Sequence, residues 1–512
     1  MLGRSILLIN PPLIDGVAFT RQGRCQEREE VLGTTKPPYS LVVIASLLRQ
    51  RGADFRLIDQ TAEATPTASV IDRLEGELFR PTLIVYCSTT PTLAADTAEM
   101  AVLKRHYDAP LVCFGPHASG APVESMARAP EVDAMVGGEP EEAVLALASL
   151  ESLDKASEIQ GVTVRRGGTV VPARERAVFS GFAQMPFPAW DLLPLRRYRL
   201  PLVDKPYMLV ETSRGCPYSC DFCIVPIHHG HKFRERDPVV LVDEIARGKK
   251  DYGIEYFYLW GDTVTLNIKS FSRFCDELVA RNLGIRWFAN ARADNLVDPV
   301  YVDRLKRSGC WMLSIGVESE SDDTRRDMMK KLERQKIHAA FRNLRRAGIK
   351  SFGFFIYGYP GDTVASMEQT TRYAIELDAD FANFYPAVPY PGTELHERCR
   401  REGLLTTDDW AKLEYSYYVL KTGGLDEETV MRAIHRANRR FCLRPRYLIR
   451  HAGDIARITL TNQSLLWKGI SRMLIGTEPG KSAPGHGRAG RASGASGPGG
   501  ASEASRPSGK EH

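Results

Sequence analysis

Three cysteines carry the chemistry that this sequence announces first. Cys216, Cys220 and Cys223 stand in Thr212-Ser-Arg-Gly-Cys-Pro-Tyr-Ser-Cys-Asp-Phe-Cys-Ile, directly after the strand-like run Tyr207-Met-Leu-Val-Glu. A [4Fe–4S] cluster takes one thiolate per iron. A C-x3-C-x2-C triad therefore leaves one iron open to a small molecule, and an open coordination position points to an enzyme. The competing reading is zinc, with His228, His229 or His231 completing the ligand set. Structural zinc sites, however, are closed by four ligands and favour paired C-x2-C elements.

To present such a triad the chain must supply a rigid frame, and its apolar runs describe one. In the first part, strand-like runs at about 5–10, 54–59, 82–88, 110–114 and 132–137 alternate with helical segments at about 38–51, 66–79, 92–107, 122–129 and 140–150. That alternation predicts an α/β fold opening with a doubly wound parallel sheet, Rossmann-like in plan. Such sheets bind ligands at the carboxyl ends of their strands. The loops there are Asn10-Pro11-Pro12, Ser88-Thr89-Thr90, Gly115-Pro116-His117 and Gly137-Gly138-Glu139. Their glycines and small hydroxyls are expected to let a bulky ligand approach the backbone.

A transition follows, with a small hairpin around 159–172 and the proline-rich Met185-Pro-Phe-Pro-Ala-Trp-Asp-Leu-Leu-Pro. A second strand–helix series has strands at 207–212, 255–261, 286–291, 311–317, 351–357 and 382–387. Six βα units predict a partial (β/α)6 barrel with function at the carboxyl ends of its strands. Residues 396–475 read as helical, including Glu427 to Phe441, and from about 477 the chain turns Gly/Ser/Ala/Pro-rich, the composition of a disordered tail. The expected division is thus 1–150, 151–200, 201–395, 396–476 and 477–512.

Composition narrows the function classes. The 512 residues suffice for two or three domains with sizeable cores. A net charge of +5 gives no strong field for nucleic acid, so none is expected as a partner. Beyond the triad, cysteines are scattered at 25, 87, 113, 275, 310, 399 and 442, unlike a secreted disulfide framework. A reducing cytoplasm is the natural setting for an oxygen-sensitive cluster. The opening Met-Leu-Gly-Arg-Ser-Ile-Leu-Leu-Ile-Asn has too short an apolar run for a signal peptide, and no stretch reaches the ~18 apolar residues of a spanning helix. The stripe from Ile455 to Ile475 would suit a peripheral contact with a membrane surface, though such stripes more often pack on their own domain.

The triad spacing, with the aromatic Phe222 before its last cysteine, resembles the signature of the radical S-adenosylmethionine (SAM) family. Smaller pieces extend the likeness to about residue 475. They are the opening Leu-Ile-Asn-Pro-Pro, Gly23-Arg-Cys-Gln, Lys36-Pro-Pro-Tyr-Ser-Leu, Gly115-Pro-His-Ala-Ser, Gly138-Glu-Pro-Glu-Glu, the Pro-Phe-Pro-Ala-Trp-Asp linker, Ile315-Gly-Val-Glu-Ser and Pro389-Tyr-Pro-Gly-Thr-Glu-Leu. In this order they resemble the radical SAM proteins that carry a cobalamin-binding domain.

The resemblance implies three cofactors: a [4Fe–4S] cluster on Cys216, Cys220 and Cys223, SAM on its open iron, and cobalamin on the first sheet. Trp260-Gly-Asp-Thr would receive the SAM amino group, with Asp262, Arg292 and Glu318 as charged SAM contacts and Tyr357-Gly-Tyr-Pro-Gly against the adenine. Cobalamin contacts would come from Asn10, Ser88, Thr89, Gly115, His117 and Gly138. Reductive cleavage of SAM would give a 5′-deoxyadenosyl radical, and the expected outcome is methylation of an unactivated carbon, or a phosphorus, of a small molecule. An electron donor such as flavodoxin or ferredoxin is implied.

One departure bears on the cobalt. Methionine-synthase-like cobalamin domains follow their first strand with D-x-H-x-x-G, whose histidine ligates cobalt; here that place reads Asn10-Pro-Pro-Leu-Ile-Asp. A G-x-H-x-x-G occurs at Gly115 to Gly120, one loop later and without the aspartate, so the cobalt is read as lacking a protein histidine. Three alternatives stay open. The same apparatus serves cyclisation or rearrangement in sister proteins. A methylthiotransferase would place a second cluster on three N-terminal cysteines, and Cys25, Cys87 and Cys113 fall near strand ends. A non-enzymatic cobalamin or metal sensor would hold zinc at the triad.

Overall fold

The computed structural model describes residues 3–21, 35–200 and 202–461. The first sheet contains β1 (Ser5–Asn10), β2 (Asp54–Asp59), β3 (Leu83–Cys87), β4 (Leu111–Phe114), β5 (Ala134–Val136), β6 (Val162–Arg166) and β7 (Thr169–Val171), in the spatial order β2-β1-β3-β4-β5-β6-β7. The first five are parallel. Along β1 the side chains alternate between two cores: Ile6 and Leu8 face one, Leu7 and Ile9 the other. That period of two, apolar on both faces, is what a parallel strand covered by helices requires.

The sheet is not purely parallel, as the sequence had suggested. The hairpin expected near 159–172 is β6–β7, and it joins β5 antiparallel as an edge extension. Its turn, Gly167-Gly168, has φ of +54° and +82°, the left-handed pair that two-residue hairpins favour. Hydrogen bonding, not a separate unit, decides where the hairpin goes.

Short strand β8 (Arg199–Leu200) pairs antiparallel with the start of β9 (Lys205–Arg214), which opens the second sheet. β10 (Arg234–Glu235) pairs antiparallel with the far end of β9. Then β9, β11 (Tyr256–Gly261), β12 (Arg286–Ala291), β13 (Cys310–Glu318), β14 (Lys350–Tyr357) and β15 (Phe381–Pro386) lie side by side, all parallel, in sequence order. This is the curled half-barrel arrangement. Several crossover helices start at a side chain that accepts a first-turn N–H: Asp237, Asn267, Asp298 and Thr363.

The two sheets share one continuous core. The proline-rich linker fastens it: Ala189 N–H donates to the Val42 carbonyl, Ser46 Oγ to the Phe187 carbonyl, and Arg49 grips Asp191 through two bonds. Trp190 is wholly buried, its ring 5.9 Å from that of Tyr39.

Beyond β15 the chain is less helical than expected. After the helix Glu394–Arg401, residues 402–426 run irregularly, held by the bridges Leu405–Leu420 and Thr422–Leu425, before the helices Glu427–Cys442 and Pro445–Thr461. Gly403, Gly423 and Gly424, all left-handed, break the helical path. Among the described residues no helix is long and apolar enough to cross a membrane. Most of the 455–475 stripe and the whole Gly/Ser-rich tail lie outside the described residues.

Two glycines at carboxyl ends of the first sheet serve packing rather than ligand approach. Gly115 has φ +132°, and a Cβ there would overlap the Ser88 carbonyl; at Gly138, φ +96°, it would overlap the Ala177 carbonyl. Both strands' loops depend on these backbone contacts. Gly115→Ala should lower unfolding stability by about 1–3 kcal/mol. A chemical denaturation curve that coincides with wild type would contradict this.

Candidate functional site

The cysteine loop leaves β9 through Gly215, whose φ of +84° and contact with the Lys232 carbonyl exclude any side chain. Backbone bonds then pin it on three sides. Cys216 N–H donates to the Gly230 carbonyl, Asp221 N–H to that of Met328, and Leu395 N–H to the Asp221 carbonyl. Tyr359 Oη donates to Asp221 Oδ2 at 2.6 Å. Cys216, Cys220 and Cys223 are all partly exposed, and all line a cavity of about 260 Å³ at the mouth of the second sheet. Burial pushes the Cys220 thiol up, with Lys330 and Arg292 pulling it back.

The thiols do not converge as one metal ion would demand. Among the described residues no three Cys, His, Asp or Glu side chains are gathered tightly enough to hold a single ion. A cubane cluster instead puts each thiolate on a different iron. Of the nearby histidines, His228 Nδ1 meets Ser119 Oγ at 2.7 Å, and His229 Nδ1 meets Asp262 Oδ2 at 2.7 Å. His231 is exposed. Nor can Cys87 and Cys113 share a second cluster, because they belong to the cores on opposite faces of the first sheet. Cys87 Sγ bonds the Arg21 carbonyl, and burial pushes the Cys113 thiol well above its ordinary range. Cys25 lies outside the described residues.

Charged groups in the large cavity are held as pairs. Glu318 ends β13 with φ +67°, at a register shift beside Gly316, and forms an ion pair with Lys330. Its other oxygen accepts from Tyr385 Oη at 3.3 Å. Gly316 makes that pair possible, since a Cβ there would overlap both Glu318 Oε1 and Lys330 Nζ. Arg292 lies 3.7 Å over the ring of Tyr218 in the cysteine loop, bonds Asp294 twice, and donates to the Lys330 carbonyl. Lys330 escaped the sequence reading, for nothing twelve residues downstream of a glutamate signals a partner. The adenine expectation shifts as well. Tyr357 is buried with its hydroxyl on Thr371, whereas Ile356 and Tyr359 line the cavity.

Asp262 lines this cavity and also a smaller one between the two sheets, bounded by Arg21, Tyr39, Cys87, Gly115, His228 and His229 among others. Its Oδ2 accepts from Gly215 N–H at 2.7 Å as well as from His229. Asp262 thus ties the cysteine loop to the histidine loop. Burial opposes a charge on His229, but Asp262 outweighs it and raises its pKa.

The expected first-sheet contacts sit as follows. Asn10 Nδ2 donates to Asp59, and its Oδ1 is buried without a hydrogen-bond partner. Ser88 Oγ donates to Asp96, and Thr89 pairs with Thr92. His117 is the clear misplacement. Its Nδ1 meets Thr90 Oγ1 and its Nε2 meets Ser125 Oγ, and burial drives its pKa down to about 3, so neither nitrogen is offered to a ligand.

The model of the Radical SAM superfamily matches residues 210–374, from the strand before the cysteine loop through the helix after β14. Residues 210–374 are thus a radical SAM domain. An uncharacterised methyltransferase of Pyrococcus horikoshii, PH0819, is 29% identical over 450 residues, 87% of this chain and 94% of its own length. TsrM of Kitasatospora setae, a radical SAM methyltransferase solved with cobalamin and a [4Fe–4S] cluster, superposes with a TM-score of 0.64 at 18% identity, over 78% of each chain. OxsB, a cobalamin-dependent SAM radical enzyme, gives a TM-score of 0.67 at 18% identity, over 92% of this chain and 70% of its own. The structural likeness extends to the fold of both sheets.

What orients the first sheet on the radical SAM sheet is a buried ion cluster. Arg214, the last residue of β9, bonds Glu139, Glu141 and Glu211. Glu139 and Glu141 come from the loop after β5 and the helix that follows it, so the cluster spans both sheets. Arg234 of β10 also holds Glu139. Burial works against the Glu139 charge, yet Arg214 and then Arg234 bring its pKa down to about 2.

Arg214→Met would leave buried carboxylates unpaired and should cost about 3–5 kcal/mol in denaturation. Because the folded pKa of Glu139 is depressed, its contribution is full above the ordinary value of 4.5 and lost as pH falls toward 2. Glu139→Gln should therefore flatten the acid limb of the stability curve. An acid limb as steep as wild type would exclude this origin.

Proposed function

We propose that this protein is a cobalamin-dependent radical SAM enzyme that methylates a small molecule at an unactivated carbon or a phosphorus. The observation that carries the reading is the pinned cysteine loop at the carboxyl end of β9, opening on a cavity that shares Trp260, Asp262 and Asn290 with the smaller one at the first sheet's carboxyl ends. When bound, the cluster supplies the electron that cleaves SAM to methionine and a 5′-deoxyadenosyl radical, and cobalamin carries the methyl group.

The residues fit these groups. Cys216, Cys220 and Cys223 would hold three irons and leave the fourth for SAM. SAM's amino acid end is a zwitterion, and the Glu318–Lys330 pair is its charge mirror: Glu318 would take the ammonium and Lys330 the carboxylate. Arg292 would position both Tyr218 and the Lys330 loop, and Asp262 would organise the loops rather than touch SAM. Toward cobalamin, the buried Asn10 Oδ1 and the buried hydroxyl of Tyr39 have no hydrogen-bond partners, as expected where corrin amides dock. Ser88 and Thr89 follow β3, the strand that neighbours β1 and its terminal Asn10. Aromatic walls, including Phe288, Phe352, Phe354 and Tyr415, favour an apolar substrate surface.

In this reading residues 1–150 are the cobalamin-binding unit, 151–200 the hairpin and linker, 201–395 a partial (β/α)6 barrel, and 396–476 the C-terminal region. A flavodoxin or ferredoxin in the cytoplasm would supply the electron.

Anaerobic reconstitution should yield about four irons per chain, one retained corrinoid, and S-adenosylhomocysteine with a methylated product. Eight irons, or 5′-deoxyadenosine with no methylated product, would overturn the methyltransferase reading. Glu318→Gln and Gly316→Ala should each raise the KM for SAM about tenfold or more, the loss of one charge-assisted contact of roughly 1.5–3 kcal/mol. Unchanged SAM saturation in both would remove Glu318 from the SAM site.

A further inference from the structure

We infer that His229 offers a nitrogen ligand to the cobalt of a corrin held between the two sheets. The inference rests on the cobalamin reading above and replaces the expectation of a cobalt without any protein histidine. His229 lines the inter-sheet cavity together with Cys87 and Gly115 from the ends of β3 and β4. Its Nδ1 stands 2.7 Å from Asp262 Oδ2. A carboxylate can only accept, so Nδ1 carries the proton and the lone pair resides on Nε2. Asp262 is itself fixed by the Gly215 N–H, so the ring cannot easily turn. Carboxylate–histidine pairs of this kind orient most metal-ligating histidines and raise their basicity.

The neighbouring histidines lack this preparation. His117 has both nitrogens engaged by hydroxyls. His228 rests on Ser119, whose hydroxyl also contacts the Gly115 carbonyl and accepts from Gly138 N–H. A rotating hydroxyl therefore decides the His228 tautomer. A second feature marks the cavity as ligand space. Tyr39 lines it, is 2% exposed, and its hydroxyl has no hydrogen-bond partner.

In the coordination step the Nε2 lone pair forms a bond to cobalt and a bound water leaves; no electron or proton is transferred. His229 is carried by the barrel half of the chain, directly after the helix Val225–His228.

The test loads the full chain anaerobically with cob(II)inamide, which has no base of its own, and records its paramagnetic resonance spectrum with the cluster oxidised. Each cobalt line should be split in three by one 14N nucleus, and in two when the chain carries 15N-histidine. His229→Ala should give unsplit lines with corrinoid and iron content retained, and His228→Ala should keep the splitting. Unsplit lines from corrinoid bound to the wild-type chain would overturn the inference alone, as would splitting that survives His229→Ala. Retention of no corrinoid by the wild-type chain would overturn the cobalamin reading with it. Should His229→Ala lose the corrinoid, the isotope-labelled wild-type chain and His228→Ala decide between the two histidines.

Discussion

The buried guanidinium of Arg214 is the constraint on which the rest of the site depends. It is 2% exposed, its partners 0–3%, and it joins carboxylates from both halves of the chain. Apolar burial holds the sheets together but is non-directional. A buried ion cluster adds little net stability, because desolvation offsets most of its Coulomb attraction. What it adds is register, since only one relative placement pairs every charge. Arg214 lies two residues before Cys216, so the register of the two sheets and the position of Cys216 are fixed by the same contact.

Glycine has a consistent task in this molecule, and it is not the one that strand-end glycines suggest. Gly115, Gly138 and Gly215 each admit a backbone carbonyl of another segment where a side chain would stand. Gly316 admits a pair of side-chain charges instead. In each case missing bulk lets protein meet protein. The ligand-facing surface is then built from side chains carried on those tightened loops, which is how a loop site acquires the stiffness of the elements beneath it.

Much of this was legible in the sequence, and the reason lies in which signals are local. All eleven strands named from apolar runs form close to their expected ends, because a parallel strand buried on both faces must be continuously apolar. The triad was legible because its three thiols share one short loop. The misreadings concern partners distant in the chain. Asp262, expected at SAM for its place after a strand, also bonds His229, 33 residues earlier, a partner that nothing local announces. Cys87 and Cys113 invited a shared cluster from their places near strand ends, until strand register put them on opposite faces. The helical reading of 402–426 failed on three glycines, and no periodicity in that stretch indicates that Trp410 packs on the His117 ring 4.4 Å away.

The pairing of charges in the large cavity has a consequence for what can bind there. Glu318 and Lys330 are both more than nine-tenths buried, and an unpaired charge at that depth is costly. A ligand carrying only an ammonium would satisfy Glu318 and strand Lys330; one carrying only a carboxylate would do the reverse. A zwitterion replaces both partners at once and leaves no charge alone. The site therefore discriminates by penalty as well as by attraction. Gly316 keeps the two side chains close enough that a ligand must engage both or neither, so the position of a single backbone turn sets what this pair can accept.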